Sequence, residues 1–427
     1  MKRGYHVHTL FHRILPKTEG MLSEFQAKHP LFSYAKAKGR KDRWVRYLFL
    51  IRVVACNRRY LLVTGQSEYY RKRYRKFLPP RWQNLFNSRV GQRIIKNIFF
   101  GALLSLGERL IPANRLIGEH ITSFVPIAVL ASPVNRKFLS SDTEYLKAAK
   151  ALGIPTFLPV MTWDNLTTKT HIPVVPDRLL VWNKLQVLEA LEHHGIRASR
   201  TAIIGAPVFD SWFSHLRRPL PREEFCRVNG LNPDFPILLY LGSSGNIAKD
   251  ETWLIKNVRA ALDSSPNPKL KGTQIIVRPH PANDDIYRVL EGVPYTFVLP
   301  KKGALPHSSE KMDFFYNCLY HSVCSVGVNT SAMIDAVIAR RPIVAILTDT
   351  YEKTQSAAEH FKQLVAYGAI ECVKDADQLV VVVGNLLNGG DQKMDAREHF
   401  VNDLIRPNGI DTSAGESTAR AIEAFIA

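Results

Sequence analysis

The run Ile275-Ile276-Val277-Arg278-Pro279-His280-Pro281 sets a guanidinium and an imidazole at the end of an apolar, β-branched strand. Each is followed by proline, which disfavours helix and holds the turn extended. A guanidinium can grip a phosphate through two parallel hydrogen bonds. An imidazole can donate to a phosphate or exchange a proton near neutral pH. A histidine bonded to backbone at a strand end is the plainer reading, but packing alone gives little reason to place both side chains at one rigid exit.

Four more segments have this character. Leu239-Tyr240-Leu241 runs into Gly242-Ser243-Ser244-Gly245-Asn246, where glycine permits close backbone approach and free N–H groups before a helix can hold a phosphate. The run lacks the GK[ST] ending of a Walker A loop and is not a GxGxxG fingerprint, so an ordinary tight turn is an equal reading. In Ser325–Ala336, Asn329, Thr330 and Ser331 can each cap a helix, whose first-turn N–H groups favour an anion. Asp335, four residues after Ser331, shares its face and could accept two ribose hydroxyls; a plain N-cap with a solvated Asp is the alternative. In Trp163-Asp164-Asn165-Leu166-Thr167-Thr168-Lys169, Trp163 offers a stacking face, Asp164 a general base and Lys169 a charge for phosphate. Asp–Asn side chains bonding the backbone of a turn explain that segment equally well. Gly205–Asp210 reads as a structural turn beside a hinge, with Asp210 on the cleft side. No HExxH, Cys/His cluster or paired carboxylates at metal spacing occurs, so a metal-independent reaction without a cofactor is expected.

These segments need strands to carry them. Short apolar runs ending in Gly, Pro, Ser or Asn alternate with amphipathic stretches of helical period. In the first half, strands are predicted at Ile127–Ala131 (ending at Ser132-Pro133), Thr156–Val160, Arg178–Trp182 and Thr201–Ile204, with helices over Asp142–Leu152 and Lys184–His194. The prolines of Arg217–Arg222 and Asn229–Pro236 mark a linker. The pattern then restarts: strands Ile237–Leu241, Gln274–Val277, Val323–Val326 and Ile343–Leu347, helices Asp250–Ser264 and Ser331–Arg340. The fold class is therefore α/β with two parallel-sheet domains, since 427 residues are too many for one ordinary core. The expected division is 1–215 as a first domain, 216–236 as linker, 237–412 as a second domain and 413–427 as a C-terminal helix. In such sheets ligands bind beyond the carboxyl ends of the strands, where these polar segments lie.

The net charge of +19 is unevenly spread. Lys36–Lys96 holds 18 Lys and Arg against Asp42 and Glu68, a surplus of 16, interleaved with Trp44, Tyr47, Phe49, Tyr60, Tyr69, Tyr70, Tyr74, Phe77 and Trp82. Either these are solvated helix faces with aromatics turned to the core, or the segment meets an anionic membrane surface. Nucleic acid is the weakest partner, with no RNA-binding or zinc-finger signature in support. Five cysteines without a CxxC pair argue against a disulfide framework. No secretory signal and no run of roughly 18 apolar residues is present. The expectation is a cytoplasmic protein, with peripheral attachment to the inner face of the cell membrane through residues 36–96.

Taken together, GIPTFLPVMTWDNLTTKT, VWNKLQVLEALEHHGI, IIGAPVFDSWF, LLYLGSS, VRPHP and VGVNTSAMIDAVIARRPIVAI resemble, in the same order, a bacterial family of GT-B-type glycosyltransferases. The last two also look like the donor region of UDP-N-acetylglucosamine 2-epimerases and of CDP-glycerol glycerophosphotransferases. The resemblance implies two Rossmann-like domains facing a cleft, with a nucleotide-activated donor held by the C-terminal one. Arg278, His280, Asn329, Thr330 and Ser331 would meet its phosphates and sugar beside Gly242, Ser243 and Ser244, and Asp335 its ribose. Trp163, Asn165, Lys169 and Asp210 would face the acceptor side, with Asp164 and His280 as the catalytic pair. One departure is that Met1–His8 looks like the end of a first helix and a second strand, as though the usual first strand and its glycine loop were absent.

The expected reaction is transfer of a sugar from a nucleotide-sugar to an envelope polysaccharide or lipid-linked acceptor. Transfer of a polyol phosphate from a CDP-alcohol is an alternative within enzymes. A truncated, inactive binding or scaffold protein is the non-enzymatic alternative.

Overall fold

A computed structural model describes residues 3–63, 68–131, 137–213, 218–304 and 308–427. Two compact units emerge, one of Met1–Gly65, Tyr70–Ile204 and Gly415–Ala427, the other of Gln66–Tyr69 and Gly205–Ala414. The strands are β1 Val7–Phe11, β2 Phe32–Lys36, β3 Val129–Leu130, β4 Thr156–Pro159, β5 Arg178–Val181 and β6 Thr201–Ile203 in the first unit. In the second they are β7 Ile237–Leu241, β8 Gln274–Arg278, β9 Thr296–Val298, β10 Cys324–Gly327, β11 Ile343–Ile346 and β12 Glu371–Val373. Every pairing among them is parallel. The α/β class with two parallel-sheet units is as the sequence predicts.

In the first unit β3-β4-β5-β6 form one sheet in sequence order, and β1 and β2 a separate pair. The β1 strand begins within the stretch expected to hold a strand near residue 8; Ser132 and Pro133, expected to end β3, lie outside the described residues. Phe157, Leu180 and Ile204 form a sheet-side core against Ala421, Ile422 and Phe425 of the helix Ala414–Ile426. Between β2 and β3 runs a succession of helices, Val45–Leu62, Glu68–Arg75, Pro80–Asn87, Arg89–Lys96, Ile98–Leu110 and Arg115–Thr122. The basic segment is thus part of a helical layer.

That layer takes several of the cations inside. Arg52 is buried between Glu108, to which it donates at 2.8 and 3.0 Å, and Glu144 at 2.7 Å. Arg40 bridges Glu144 and Asp42 at 3.0 and 2.9 Å, and Lys147 reaches Glu108 at 3.1 Å. Burying charge is costly unless each ion is paired and hydrogen-bonded, and here carboxylates on two other helices supply the pairing. Tyr60, Tyr70, Tyr74 and Phe86 are buried as well. For these residues the core reading holds, while Tyr47 and Phe77 are exposed.

The second unit has the strand order β12-β11-β10-β7-β8-β9. Counted from β7, this is the 3-2-1-4-5-6 order of a Rossmann sheet. Its strands are buried throughout β7, β8, β10 and β11, as continuous apolar runs in a sheet covered on both faces must be. The expected linker is not a free tether. Where it is described, it carries the helix Arg222–Asn229, whose Phe225 stacks on His321 at 4.8 Å, while Arg222 donates to the carbonyls of Pro233 and His321. The division between units falls at Ile204/Gly205, ahead of the proline-rich stretch, because that stretch packs on the second unit; Arg217 lies outside the described residues.

Candidate functional site

In the second unit the chain leaves β7 toward β8 and β9, then crosses back to β10 on the other side. The sheet reverses direction between β7 and β10, and at such a switch the loops at the strands' carboxyl ends part to leave a crevice. Gly327 and Leu241 are paired there. An added Cβ on Gly327 would lie 2.7 Å from the Leu241 carbonyl oxygen, so glycine is required for the two strands to approach. Gly242–Ser244, Arg278 with His280, and Asn329–Ser331 all follow β7, β8 and β10, which are adjacent. The structure therefore brings these sequence-selected residues to one end of one sheet.

Arg278 is buried at the last position of β8, with its guanidinium 4.0 Å over the Phe315 ring. Nη2 donates to the Ala304 carbonyl at 2.5 Å, and Nε has no hydrogen-bond partner among the described residues. Burial lowers its pKa, opposed by the field of Asp335. The result is a desolvated cation with one buried N–H, on Nε, unpartnered among the described residues, and such a group gains strongly from an anion. Two residues on, His280 accepts the Ala282 N–H at Nδ1 over 3.1 Å, so its neutral ring carries the proton on Nε2. Burial, and then Arg278, push its pKa down, favouring that neutral donor form.

Asp335 is not the solvated residue of the plain N-cap alternative. It is buried on the helix Ala332–Ile338 and accepts the Trp212 indole N–H at 2.6 Å. Burial raises its pKa to about 7, against the lowering effects of Trp212 and Arg278. A carboxyl half-protonated near neutrality compensates Arg278 only in part.

In the glycine–serine loop the backbone is partly engaged within the fold. Ser243 gives its backbone N–H to Glu251 Oε1 at 2.5 Å, and the same carboxylate accepts from Tyr287 at 2.5 Å and Tyr240 at 3.1 Å. Glu251 is buried, so the Ser243 amide is committed to an internal carboxylate, and the Gly242 amide before it donates to the Arg278 carbonyl at 3.0 Å. An added Cβ on Gly242 would sit 2.5 Å from the Tyr287 hydroxyl, which explains glycine at that point. The exposed turn continues at Ser244, whose carbonyl accepts from Ile247 and Ala248. Asn283 ties this loop to the one after β8, donating to the Ala248 and Ser243 carbonyls at 3.1 and 3.3 Å.

After β10, Asn329 caps nothing. Its Nδ2 donates to the Thr354 carbonyl at 2.7 Å, fixing the loop that follows β11, and its buried Oδ1 has no partner among the described residues. Ser331 at the helix start makes no side-chain cap bond and is exposed, while Thr330 Oγ1 accepts from Ala332 at 3.5 Å. Gln355 donates to the Val328 and Ile346 carbonyls at 2.7 and 2.8 Å, joining the β10 and β11 exits.

In the first unit, the Trp163–Lys169 segment is a braced turn. Asn165 Oδ1 accepts from the Met161 and Thr162 amides at 3.0 and 2.8 Å. Asp164 accepts from Thr162, Thr168 and Lys169 at 2.7, 2.7 and 2.8 Å, so both its oxygens are engaged within the turn. Trp163 and Lys169 are half-buried beside it. The carbonyls at the far end of the turn are gripped by buried Arg59, to Leu166 at 2.7 Å and Thr167 at 3.3 Å, and His194 bonds the Leu166 carbonyl at 2.9 Å. Asp210 stands in the second unit. It holds Arg406 at 2.6 Å and the Ala414 amide at 2.9 Å, which anchors the start of the last helix.

No protein-family model and no curated protein matches the sequence. Among solved structures, the UDP-GlcNAc 2-epimerase from Neisseria meningitidis bound to UDP-GlcNAc has a TM-score of 0.48 and 12% identity, covering 98% of this chain and 99% of its own. The UDP-GlcNAc 2-epimerase from Methanocaldococcus jannaschii has a TM-score of 0.47 and 12% identity, covering 75% of this chain and 82% of its own. The wall teichoic acid polymerase TagF has a TM-score of 0.39 and 16% identity, covering 58% of each chain. At these values the similarity is one of chain trace, and the chemistry has to come from this chain's own residues.

Several residues at the switch escaped the sequence reading: Glu251, Tyr287, Trp212, Asn283, Thr354 and Gln355. Trp212 lies at the end of the run IIGAPVFDSWF but was not singled out, and the others stand in no motif. Each acts through a partner many residues away, so only the folded chain reveals it.

Proposed function

We propose that this protein transfers a sugar from a nucleotide-sugar to a hydroxyl of an envelope polysaccharide or lipid-linked acceptor, with the donor held at the β7/β10 switch of the second unit. The observation that carries the reading is Arg278: a buried guanidinium at a strand exit, with Nε unpartnered among the described residues and Asp335, the carboxyl whose field acts on it, only partly ionised at neutral pH. A diphosphate entering there supplies the missing anion. His280, with its proton on Nε2, is placed on the same exit to donate to a departing phosphate oxygen. Thr330 and Ser331, on the loop after β10, provide hydroxyls for the sugar or phosphate. The cationic surface of the first unit suits an acceptor presented at an anionic membrane.

Thermal unfolding of the full chain with UDP-, GDP-, CDP- and dTDP-linked sugars and CDP-glycerol tests this. A ligand at about 100 times its dissociation constant adds roughly 2.7 kcal/mol of apparent stability. The expected result is a shift with one nucleotide-sugar class that disappears in Arg278→Ala and weakens in His280→Ala. A shift with CDP-glycerol alone would replace sugar transfer by polyol-phosphate transfer, and no shift with any donor would overturn the enzyme reading.

A further inference from the structure

We propose that the helices Arg89–Lys96 and Ile98–Leu110 form a docking face that lies in the surface of an anionic lipid bilayer. On the second helix Phe99, Leu103, Leu106 and Leu110 recur at spacings of four, three and four residues, which places them in one stripe. They face solvent: Phe99 is 80% exposed, Leu103 62% and Leu110 73%, and beside them Ile98 is 75% exposed. Val90 and Ile94 extend the apolar surface along the preceding helix. A contiguous exposed apolar patch of this kind marks a contact surface, whereas scattered single apolar residues do not.

The occupant follows from charge. Arg89, Arg93, Lys96 and Arg109 on these two helices are all exposed, and their one acid, Glu108, is buried against Arg52 and Lys147. The face thus presents aliphatic and phenyl groups rimmed by cations with no ion-pair partner among the described residues, complementary to acyl chains beneath anionic headgroups. A second copy of the same chain would bring cations against cations. No helix among the described residues is long and apolar enough to cross a membrane, and 13 residues suit a helix lying in its plane.

The scaffold beneath is rigid. Arg58 donates to the Ile95 carbonyl at 2.8 Å and the Asn97 carbonyl at 3.1 Å, fixing the corner between the two helices. Asn97 caps the second helix by accepting the Phe99 amide at 2.8 Å. The inner side is committed to packing and to the buried ion network, so the apolar stripe has no place to turn inward. This differs from the aromatic, basic surface expected over 36–96: much of that segment is core, and the docking face lies at its end and just beyond. The inference stands independently of the donor site.

Co-sedimentation of the full chain with phosphatidylcholine vesicles, with and without phosphatidylserine, tests the face. Binding is expected only with phosphatidylserine, falling as salt rises. Each neutralised cation should weaken it roughly fivefold, so Arg93→Gln with Lys96→Gln should lose about 25-fold, and Phe99→Asp with Leu103→Asp should abolish it. Circular dichroism and thermal unfolding check that these surface variants stay folded. Absence of binding to phosphatidylserine vesicles, or binding unchanged by either pair, overturns the proposal. So does a wild-type dimer that the Phe99→Asp, Leu103→Asp pair dissociates, since a second copy would then be the occupant.

Discussion

Trp212 donates its indole N–H to Asp335 across 2.6 Å, sealing a carboxyl into the same interior that holds the Arg278 guanidinium. Because burial raises the Asp335 pKa to about 7, the folded state favours the protonated acid. The stabilising contribution of that preference is complete below the unfolded pKa, about 3.9. It drains as pH rises through about 7, where the folded chain must finally bury the charge. Asp335→Asn cannot ionise and retains an oxygen for Trp212. Relative to wild type, this variant is expected to gain stability between pH 4 and pH 8, by roughly 4 kcal/mol at most. Urea unfolding of both proteins across that range measures it. A difference that stays flat with pH would mean that Asp335 is ionised throughout.

Glu251 organises the turn after β7 by accepting from the Ser243 amide, Tyr287 and Tyr240. Truncation in Glu251→Ala leaves three buried donors without their acceptor. Each such loss costs about 1–3 kcal/mol, so a drop of several kcal/mol is expected. Glu251→Gln keeps one acceptor oxygen, and the two tyrosine hydroxyls can reverse their roles around its amide; it should lose far less. Thermal unfolding of the pair decides the point, and equal melting temperatures would remove Glu251 from the loop's support.

The same carboxylate shows where sequence reading stops. The exits of β7, β8 and β10 were legible because apolar runs ending in polar residues announce parallel strands, and Arg278 with His280 lay where such strands end. Boundaries of the β5–β6 helix, Lys184–His194, and of β7 coincided with the pattern because a glycine or a proline stands beside each. What composition could not reveal was the direction of bonds at those exits. The Gly242–Ser244 amides could serve a phosphate or Glu251, and Asn329 could cap a helix or hold Thr354; the choice is made by contacts across the fold. The helical layer was hidden for a related reason. Its arginines carry no mark distinguishing Arg52, paired with two carboxylates inside, from Arg93 at the surface.

Asp164 offers a sharp choice between a base and a brace. Its oxygens take hydrogen bonds from Thr162, Thr168 and Lys169 within one turn. Asp164→Asn replaces one accepting oxygen by a donor that opposes Lys169 or Thr168. A loss of about 1–2 kcal/mol in unfolding free energy is expected, with transfer rates within a few-fold of wild type under conditions where both proteins are folded. Rates and stability measured side by side test this. A rate loss above about a hundredfold with unchanged stability would establish the base instead.

Beneath that turn, His193 and His194 are buried and His171 half-buried, all as neutral rings. Burial, reinforced by the Arg59 guanidinium, lowers the pKa of His171 and of His193 to about 3 and that of His194 well below its ordinary value. Depressed histidine pKa values mean that the unfolded chain binds more protons below pH 6.5. Stability is therefore full above about pH 6.5 and falls as the solution is acidified toward pH 3. Each such ring contributes a slope of about 1.4 kcal/mol per pH unit inside that window. His193 accepts from Arg59 Nη1 through Nδ1 at 3.4 Å, and an asparagine oxygen can take that place. His193→Asn is thus expected to unfold with a shallower acid slope, reduced by the amount of one ring, and with little change at pH 8. Guanidinium titrations from pH 8 to pH 4.5 supply the slopes. Parallel curves for the two proteins would show that His193 titrates alike in the folded and unfolded chain, and the acid sensitivity would then lie elsewhere in the fold.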